Sequence, residues 1–486
     1  MSWLRSGLLH AVLLVAVVAV LYGRTSGFGF SYVDDDRLIA DNQAFLTGDG
    51  AVREAFARPY FGPHASDHAY FRPLVTVSFV LDAWRAGSNA GPYHVTNVVV
   101  HAVAVIALLV LLRALDFRSG TAFFGALAFA VHPALTESVA WIPGRADLLV
   151  GSFSLGSLWC WVRADRSGGL TWRVGCLALW CCALLSKESA LVMPFVFAAQ
   201  RVLWQRRPLS SLREPRLWMA TVALLVVYLW LRMRALSGAE GDGFSVVTAL
   251  SNLPTLIADL GKLFLPLKLS VLATVASTPL WPGLAALPLI YAAWRLEPER
   301  RSELGFALIA LGLVLATGLP ASGVLLLETR LYFAAALFVI LVLEAFDLVI
   351  NERSRPVVGA IVAILLFAKS YAYTNDFRDR RTFAEAAAQT SPELALAHKN
   401  LGITKQLDGD TEGALASYEL ALARDETEPV VHNNVAVILM SRGELGLAER
   451  HLRRELELNP GYAPARDNLA KILTATGRGS EAPQPR

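Results

Sequence analysis

Long apolar segments separated by short polar loops fill most of the chain from residue 8 to residue 374, and the charged residues concentrate after that point. A helix needs about 20 residues to cross the hydrocarbon core of a bilayer. We therefore predict an all-α fold, in which a polytopic transmembrane bundle of about eleven spans precedes a soluble part. The candidate spans cover residues 6–23, 94–113, 120–135, 146–163, 171–186, 189–205, 216–236, 279–296, 303–320, 331–350 and 356–374.

Three apolar segments need a separate interpretation. The first, Leu8–Tyr22, has the length of a signal peptide, but no clear small-x-small cleavage site follows it, so we predict an uncleaved first span. The segments 71–84 and 251–272 contain prolines, and the second also contains Asp259 and Lys262. We predict that both are interfacial or re-entrant helices.

The positions of Lys and Arg predict the orientation of the spans, because cytoplasmic loops are enriched in both residues. We predict a cytoplasmic N-terminus, because the opposite loops, such as Gly238–Gly243, then carry Gly, Asp and Glu, and an odd number of spans places the residues after about 375 outside the cytoplasm. The arginines of the predicted cytoplasmic loops are Arg113, Arg118, Arg163, Arg166, Arg173, Arg206, Arg207, Arg213, Arg216, Arg295, Arg300, Arg301, Arg353 and Arg355.

Composition agrees with a membrane protein. The chain is 55% hydrophobic with a mean hydropathy of +0.45, and only 17% of its residues are charged, against about 25% in soluble proteins. The net charge of +3 is too small to indicate nucleic acid as a partner. The four cysteines lie in or beside apolar segments without a matching pair at metal-ligand spacing, so we interpret them as small buried hydrophobes.

Small residues recur at a step of 34 residues in the C-terminal part. Glycines stand at 409, 443 and 477, and asparagines at 400, 434 and 468. This period is the signature of tetratricopeptide repeats, which bind peptides or proteins, so we expect a protein acceptor or partner there. The predicted organisation is a transmembrane domain over 1–375, a connecting segment over 376–394, repeats over 395–428 and 429–462, a partial repeat over 463–478 and a disordered tail over 479–486.

Three consecutive carboxylates, Asp34, Asp35 and Asp36, follow the first span in the first predicted outer loop. Neighbouring carboxylates near a bilayer resist ionising together, which raises one pKa and suits a general base or a metal site. A solvated acidic turn or a helix cap explains the same pattern. His64 and His68 of this loop could share a metal, although the glycine and proline around them favour two unrelated histidines.

Charges of both signs also stand at the ends of other spans on the predicted outer face. Arg72 could bind a phosphate or extend to the membrane interface. In the next outer loop, Arg145 could bind a lipid phosphate bidentately or form an ion pair with Glu137 or Asp147.

Two more outer loops repeat this pattern. Lys187, beside Glu188, could neutralise a phosphate or form an ion pair within its loop, and Glu328 precedes Arg330 by two residues. Each charge is ambiguous alone. Together the four charged loops suggest a cleft for a phosphate at the edge of the bilayer.

In their order and loop placement, these residues resemble the C-type glycosyltransferase (GT-C) superfamily, and in particular the transmembrane and tetratricopeptide-repeat-containing O-mannosyltransferases and their bacterial relatives. The similarity runs over nearly the whole chain. The pieces that carry it are Asp34-Asp35 with Ile39 and Asn42, Arg72-Pro73-Leu74, His94-Val95-Thr96-Asn97 with His101, His132-Pro133 with Glu137, Gly144-Arg145-Ala146-Asp147, Lys187-Glu188, Glu328 with Arg330 and Tyr332, and the terminal repeats.

The resemblance implies a donor of the polyprenyl-phosphate-sugar type, with mannose or another hexose, and transfer with inversion. It implies that an acidic residue of the first outer loop activates the acceptor hydroxyl, which falls on Asp34 or Asp35, with Asp35 favoured. Glu137 is then a second acidic site residue, and the metal requirement stays open because the superfamily contains both kinds of enzyme. The candidates for binding the donor phosphate are Arg145, Lys187, Arg330 and Arg72.

Two other classes of protein compete with this interpretation. A non-catalytic membrane scaffold would use the repeats to recruit a periplasmic partner, but one span would be enough to anchor it. A transporter would carry ionisable residues near the midpoints of its spans, whereas most charges here lie at span ends. We therefore favour the enzyme, with membrane lipid, a lipid-linked sugar and a protein as its partners. The composition suggests a bacterial inner membrane, with the repeats in the periplasm.

Overall fold

The computed structural model describes residues 2–31, 33–62, 70–237, 245–319 and 325–481. Within these ranges every regular element is a helix, and helices make up 78% of the structure, which confirms the predicted all-α class. His64, His68, the loop Gly238–Gly243 and the last five residues of the predicted tail lie outside the described residues.

The chain divides into two compact units, of which unit 1 comprises Met1–Leu269 and Thr278–Asp379. Its helices are α1 Ser2–Tyr22, α2 Gln43–Leu46, α3 Ala51–Glu54, α4 Pro73–Ala86, α5 Ala90–Ala114, α6 Ser119–Ala130, α7 Thr136–Ala140, α8 Arg145–Ser167, α9 Leu170–Leu184, α10 Met193–Ala199, α11 Pro215–Ala235, α12 Val246–Ser251, α13 Leu253–Phe264, α14 Trp281–Leu296, α15 Arg301–Ala316, α16 Leu331–Val349 and α17 Arg355–Tyr373.

Within the described residues, helical structure covers most of each candidate span, and the apolar helices of unit 1 support an integral membrane protein. Among the described residues, four stretches are long and apolar enough to cross a membrane: Gly7–Gly27, Ala90–Ala114, Trp218–Ala235 and Arg355–Phe377. Helix α6 and the following stretch Pro133–Ala140, bent by 53°, form a further candidate for a broken span or a re-entrant loop. The total of about eleven crossings stays a prediction.

Glycines allow the helices of unit 1 to approach closely, as small residues do in membrane bundles. A Cβ atom at Gly151 of α8 would lie 2.5 Å from the ring of Tyr332 on α16, and one at Gly125 of α6 would lie 2.6 Å from Leu343. Helices α6, α8 and α16 therefore pack at separations that larger residues would prevent. This packing fixes the loops that begin and end these helices, where the candidate site residues lie.

Unit 2 comprises Ser270–Ser277 and Arg380–Arg486. Gly409, Gly443 and Gly477 adopt the left-handed backbone conformation, with φ of 83°, 78° and 75°, just after the helices Ala395–Leu407, Val431–Ser441 and Ala463–Ala475. The step of 34 residues thus has a structural cause, although the tetratricopeptide assignment stays a prediction. The helices are α18 Arg380–Thr390, α19 Ala395–Leu407, α20 Thr411–Arg424, α21 Val431–Ser441, α22 Leu445–Leu458 and α23 Ala463–Ala475.

Candidate functional site

The loop after α1 is a packed structure rather than a solvated turn. A π-helical turn, Asp36–Ala40, places Leu38 and Ile39 in an apolar cluster with side chains of α4, α5 and the loop before α8. Because Leu38 and Ile39 are buried, the three aspartates that precede them are held against the protein.

Burial distinguishes Asp35 from its two neighbours. Its side chain is 1% exposed, whereas Asp34 and Asp36 are half-buried. The Asp35 Oδ2 atom accepts hydrogen bonds from the Ser31 backbone N–H at 2.6 Å and the Ser31 hydroxyl at 2.7 Å. Its Oδ1 atom is buried and has no hydrogen-bond partner among the described residues. Ser31 therefore orients the carboxylate through one oxygen, while the other oxygen accepts no hydrogen bond from a described residue.

The electrostatic surroundings of Asp35 favour a proton. Burial raises the pKa of this carboxyl group from 3.8 to about 7, and the charges of Asp34 and Asp36 raise it further against the opposing hydrogen bonds from Ser31. A carboxylate with a pKa near neutrality can take up a proton and release it at physiological pH, which suits a general base.

The backbone just before the aspartates is strained. Val33 has a φ of 70°, in the left-handed region that β-branched residues strongly disfavour. Conformations of this kind cost roughly 1–3 kcal/mol and persist where the surrounding structure imposes them, frequently at functional sites. The strain therefore marks the segment that carries Asp35.

Arg145 lies at the centre of a buried network at the start of α8. Its side chain is fully buried and forms an ion pair with Asp82 of α4, with 2.5 Å between Nη1 and Oδ2. Its Nε donates to Asn97 Oδ1 at 2.7 Å, and its Nη2 donates to the Tyr93 carbonyl at 2.7 Å. The partner in the ion pair is thus Asp82, and neither Glu137 nor Asp147 takes that place.

Arg72 and Lys187 are also paired with carboxylates. Arg72 lies 2.7 Å from Glu188. Burial alone would raise the pKa of Glu188, but the charge and the hydrogen bond of Arg72 lower this pKa to about 2. Lys187 Nζ lies 2.7 Å from both carboxylate oxygens of Asp147. Burial lowers the pKa of Lys187 although Asp147 opposes this effect. Both cations keep about an eighth of their side-chain surface exposed, at 12% each.

Tyr60 connects these charges into one group, which we call the Tyr60 cluster: Asp34, Tyr60, Arg72, Asp82, Arg145, Asp147, Lys187 and Glu188, with Asp35 included as the chain neighbour of Asp34. Arg72, Asp34, Arg145 and Asp147 all act electrostatically on the Tyr60 hydroxyl, whose pKa is raised mainly by burial. That hydroxyl is buried without a hydrogen-bond partner among the described residues. Four of the predicted outer-loop charges therefore surround one tyrosine.

Glu137 lies in a second group, the Glu328 cluster, formed by Glu137, Lys262, Glu328, Thr329 and Tyr373. Glu137 Oε2 accepts the Thr329 backbone N–H at 3.0 Å, and Glu328 accepts the Tyr373 hydroxyl at 3.1 Å. Lys262 Nζ lies 3.0 Å from Glu328 Oε1, at ion-pair distance without hydrogen-bond geometry. Arg330 borders this group, where it acts on the carboxyl group of Asp259.

The structure thus brings the predicted site residues together in two groups. Asp34, Asp35, Arg72, Arg145 and Lys187 share the Tyr60 cluster, whereas Glu137 and Arg330 belong to the Glu328 cluster. Arg330 is half-buried and forms no ion pair with a described residue.

Sequence reasoning did not single out Asp82, Tyr60 and Tyr373. The sequence could have indicated Asp82, since it is the one carboxylate in the apolar segment 71–84. No sequence pattern indicates Tyr60 or Tyr373, because their importance comes from burial beside charges of distant segments. Among the described residues no group of three or more His, Cys, Asp or Glu side chains is arranged to hold a metal ion.

Comparison with known proteins shows which proteins this chain is similar to. The family profile described as Dolichyl-phosphate-mannose-protein mannosyltransferase matches residues 86–231, which contain Asn97, Glu137, Arg145 and Lys187. Together with the curated relatives that follow, this match confirms the predicted resemblance to the O-mannosyltransferases.

Several similar curated proteins are O-mannosyl-transferases by name. Protein O-mannosyl-transferase F38B6.6 of Caenorhabditis elegans is 26% identical over 86% of this chain and 63% of its own length. TMTC2 of Homo sapiens is 34% identical over 38% of this chain and 23% of its own length. The chain thus spans less than two thirds of either relative. The solved structure of ArnT from Cupriavidus metallidurans bound to undecaprenyl phosphate covers 97% of this chain and 79% of its own, with a TM-score of 0.45 and 14% identity.

Proposed function

We propose that this chain is an inverting membrane glycosyltransferase that transfers a hexose, with mannose favoured, from a polyprenyl-phosphate-linked donor to hydroxyl groups of an extracytoplasmic protein. The Asp35 carboxylate carries this proposal. It is buried, and Ser31 orients it through one oxygen. Its other oxygen has no hydrogen-bond partner among the described residues, and its pKa is raised to about 7.

In the proposed reaction, the hydroxyl oxygen of the acceptor attacks the anomeric carbon of the sugar. At the same time Asp35 Oδ1 accepts the proton of that hydroxyl group. The bond between the anomeric carbon and the phosphate oxygen breaks, and the polyprenyl phosphate leaves with the electron pair. Attack opposite the leaving group inverts the anomeric configuration. Because a phosphate is a good leaving group, the protein needs to supply mainly a base, positive charge and positioning.

The cations differ in how readily they can meet the donor phosphate. Arg330 comes first in this proposal, since it is half-buried and forms no ion pair with a described residue. Arg72 and Lys187 would exchange their present carboxylates for the phosphate, and each keeps some exposed surface for this. Arg145 already donates to Asn97, Asp82 and Tyr93, so it would act on the phosphate only after rearrangement.

Glu137 is the second acidic residue of the proposed site, on the side of the Glu328 cluster. Its Oε1 atom is buried and has no hydrogen-bond partner among the described residues. The proposed orientation puts both clusters on the extracytoplasmic face, as the arginines of the opposite loops favour. The C-terminal repeats would then present the protein acceptor on that face.

The test is donor-dependent transfer by the purified full chain. Radiolabelled polyprenyl-phosphate-mannose is supplied with membrane proteins as acceptors, and wild type is compared with Asp35→Asn. We expect the variant to lose roughly 10²- to 10⁴-fold in rate, the usual contribution of general acid–base catalysis. The wild-type rate should rise with pH through about 7, as Asp35 loses its proton.

The two neighbouring aspartates provide matched controls. Asp34→Asn and Asp36→Asn remove the same charge from half-buried positions, and we expect both to keep the rate within tenfold of wild type. Wild-type transfer by Asp35→Asn would exclude it as the base. If neither mannose nor another hexose is transferred by the wild type, the membrane scaffold becomes the better interpretation.

A further inference from the structure

A cavity of about 500 Å³ lies at the end of unit 1 that carries neither the Tyr60 cluster nor the Glu328 cluster. It is lined by the connection between α5 and α6, the last turn of α8, the residues after α10, the start of α15 and the C-terminal half of α16. Its volume falls within the ~300–1,000 Å³ typical of small-molecule sites.

The course of the helices separates this cavity from the candidate active site. Helix α5 carries His94 and Asn97 near its first residue, beside the Tyr60 cluster, and ends next to the lining residue Leu115. Its 25 residues span about 37 Å at 1.5 Å per residue. Helix α8 likewise begins at Arg145 and reaches the cavity at Arg166. The cavity therefore lies at the opposite membrane face, which the arginine pattern predicts to be cytoplasmic.

Charges of both signs line the cavity in equal number: Arg118, Arg166, Arg300, Asp116, Glu303 and Glu344. Arg166 donates to both carboxylate oxygens of Asp116, and Arg300 lies 2.9 Å from Glu344. Asp116 is 74% exposed and Arg166 43% exposed, so their polar atoms are accessible from the cavity. A simple anion would meet three carboxylates here and a simple cation three guanidinium groups, whereas a ligand with both charges can pair with both.

One wall of the cavity is aromatic. The Trp204 ring packs edge-to-face on Phe306 at 5.6 Å and lies 5.9 Å from Phe117. Tryptophan is enriched at the interface between membrane and water, where its ring sits at the level of the lipid headgroups. The cavity lies at the end of a helical bundle and contains arginines, carboxylates and a tryptophan. These side chains match the charged groups found at the level of the lipid headgroups.

We propose that this cavity binds a phospholipid headgroup that carries both a phosphate and a primary amine, as in phosphatidylethanolamine. The phosphate pairs with Arg166 and Arg300, and the amine donates hydrogen bonds to Asp116, the exposed carboxylate of the cavity, while the buried Glu344 stays beside Arg300. The site is independent of the proposed glycosyl transfer, because no residue of the Tyr60 or Glu328 cluster takes part in it.

Native mass spectrometry of the delipidated full chain tests this proposal. Phosphatidylethanolamine is compared with phosphatidylcholine, which lacks amine N–H donors, and with phosphatidylglycerol, which lacks the amine. We expect phosphatidylethanolamine to bind at least several-fold more tightly than either. The double variant Arg166→Gln/Arg300→Gln should bind it about tenfold more weakly than wild type, while Arg207→Gln/Arg353→Gln, with two arginines outside the cavity lining, should not differ from wild type.

Several outcomes would overturn the proposal. Equal or tighter binding of phosphatidylglycerol would show a plain anion site. If both double variants lost affinity for phosphatidylethanolamine equally, the lipid would be attracted by the general surface charge and not by this cavity. Displacement of the lipid by water-soluble glycerophosphoethanolamine at the same concentration would show that the ligand comes from solution and not from the membrane. A melting temperature for each variant in the same detergent checks that the two double variants are equally folded.

Discussion

Asp35 and Glu137 are buried to the same degree, but the charged groups around the two carboxylates differ. Each is 1% exposed, each accepts a backbone N–H through one oxygen, and each has a second oxygen without a partner among the described residues. Glu137 stands beside Glu328, which has Lys262 at 3.0 Å. The charged neighbours that act on Asp35 are Asp34 and Asp36, both of its own sign.

The difference is between a buried carboxylate whose charged neighbours are both acidic and one that belongs to a network containing a lysine. A buried carboxylate without a nearby cation keeps its proton up to a higher pH, and a pKa near 7 fits a group that must accept a proton. A buried carboxylate that shares a lysine is part of an ion-pair network that ties segments together. The Glu328 cluster joins α7, α13, the turn before α16 and the end of α17. We therefore expect substitutions in the two clusters to affect different properties.

The largest expected effect on stability is that of Lys262→Met. Removing one partner of a buried ion pair leaves an uncompensated charge and typically costs about 3–5 kcal/mol. The melting temperature of the purified variant in detergent should fall by many degrees. The double variant Lys262→Met/Glu328→Gln should recover much of the loss, because the Glu328 charge is removed together with the lysine that paired with it.

An exposed ion pair of the same unit is the control for this prediction. Arg118 and Glu352 are 68% and 66% exposed, and surface pairs contribute about 0–1 kcal/mol. Arg118→Gln should therefore change the melting temperature little. If Lys262→Met melts at the wild-type temperature, Lys262 does not compensate this cluster and the contrast with Asp35 disappears.

The sequence predicted the helical class and the loops that carry the charges, because apolar periodicity and charge at span ends are local signals. It placed Asp35, Arg145 and Lys187 in loops expected to converge, and the structure brings these three into one cluster. It did not predict which cation pairs with which carboxylate. The Arg145–Asp82 pair joins residues 63 positions apart, and such pairing depends on how α4 packs on α8.

The sequence also did not predict which of the three neighbouring aspartates is buried. Asp34, Asp35 and Asp36 are chemically identical neighbours, and only the fold decides that the middle one faces the interior. The preference for Asp35 came from the family resemblance, whereas in the structure the reason is the buried position beside Ser31. The roles of all the site residues stay predictions until the variants are measured.

The next effect in size is a pH-dependent stability caused by Asp35. The folded state holds this proton up to about pH 7, whereas the unfolded chain releases it near 3.8. Between these values the folded state binds more protons, so this group makes stability fall as pH rises from about 4 to 7, and the effect is constant above that. Each pKa unit corresponds to about 1.4 kcal/mol.

Asp35→Asn removes this titration. The melting temperature of the variant relative to wild type should therefore increase between pH 4.5 and pH 8, whatever its absolute value at one pH. Glu352→Gln is a control at a mostly exposed carboxylate, and its difference from wild type should vary little over the same range. A difference for Asp35→Asn that does not change with pH would mean that Asp35 ionises normally, which would weaken its assignment as the base.

The smallest expected effect comes from the strained backbone beside Asp35. Val33→Gly removes the penalty of a β-branched residue at positive φ, roughly 1–3 kcal/mol, but loses about 0.5–1 kcal/mol through chain entropy. We expect a net gain of about 1 kcal/mol in stability. Gly50 has a φ of 89° with open space around it, so Gly50→Ala is the reverse control and should destabilise the chain.

The activity of Val33→Gly shows what the strain does. If the left-handed conformation at Val33 serves to hold Asp35 against Ser31, glycine relaxes the segment, and transfer should fall although stability rises. Unchanged transfer together with higher stability would show that Ser31 and the apolar packing of Leu38 and Ile39 are enough to orient the carboxylate. Lower stability would mean that the Val33 side chain contributes more by packing than its backbone costs. Asp35 would then be held by ordinary contacts, as Glu137 is.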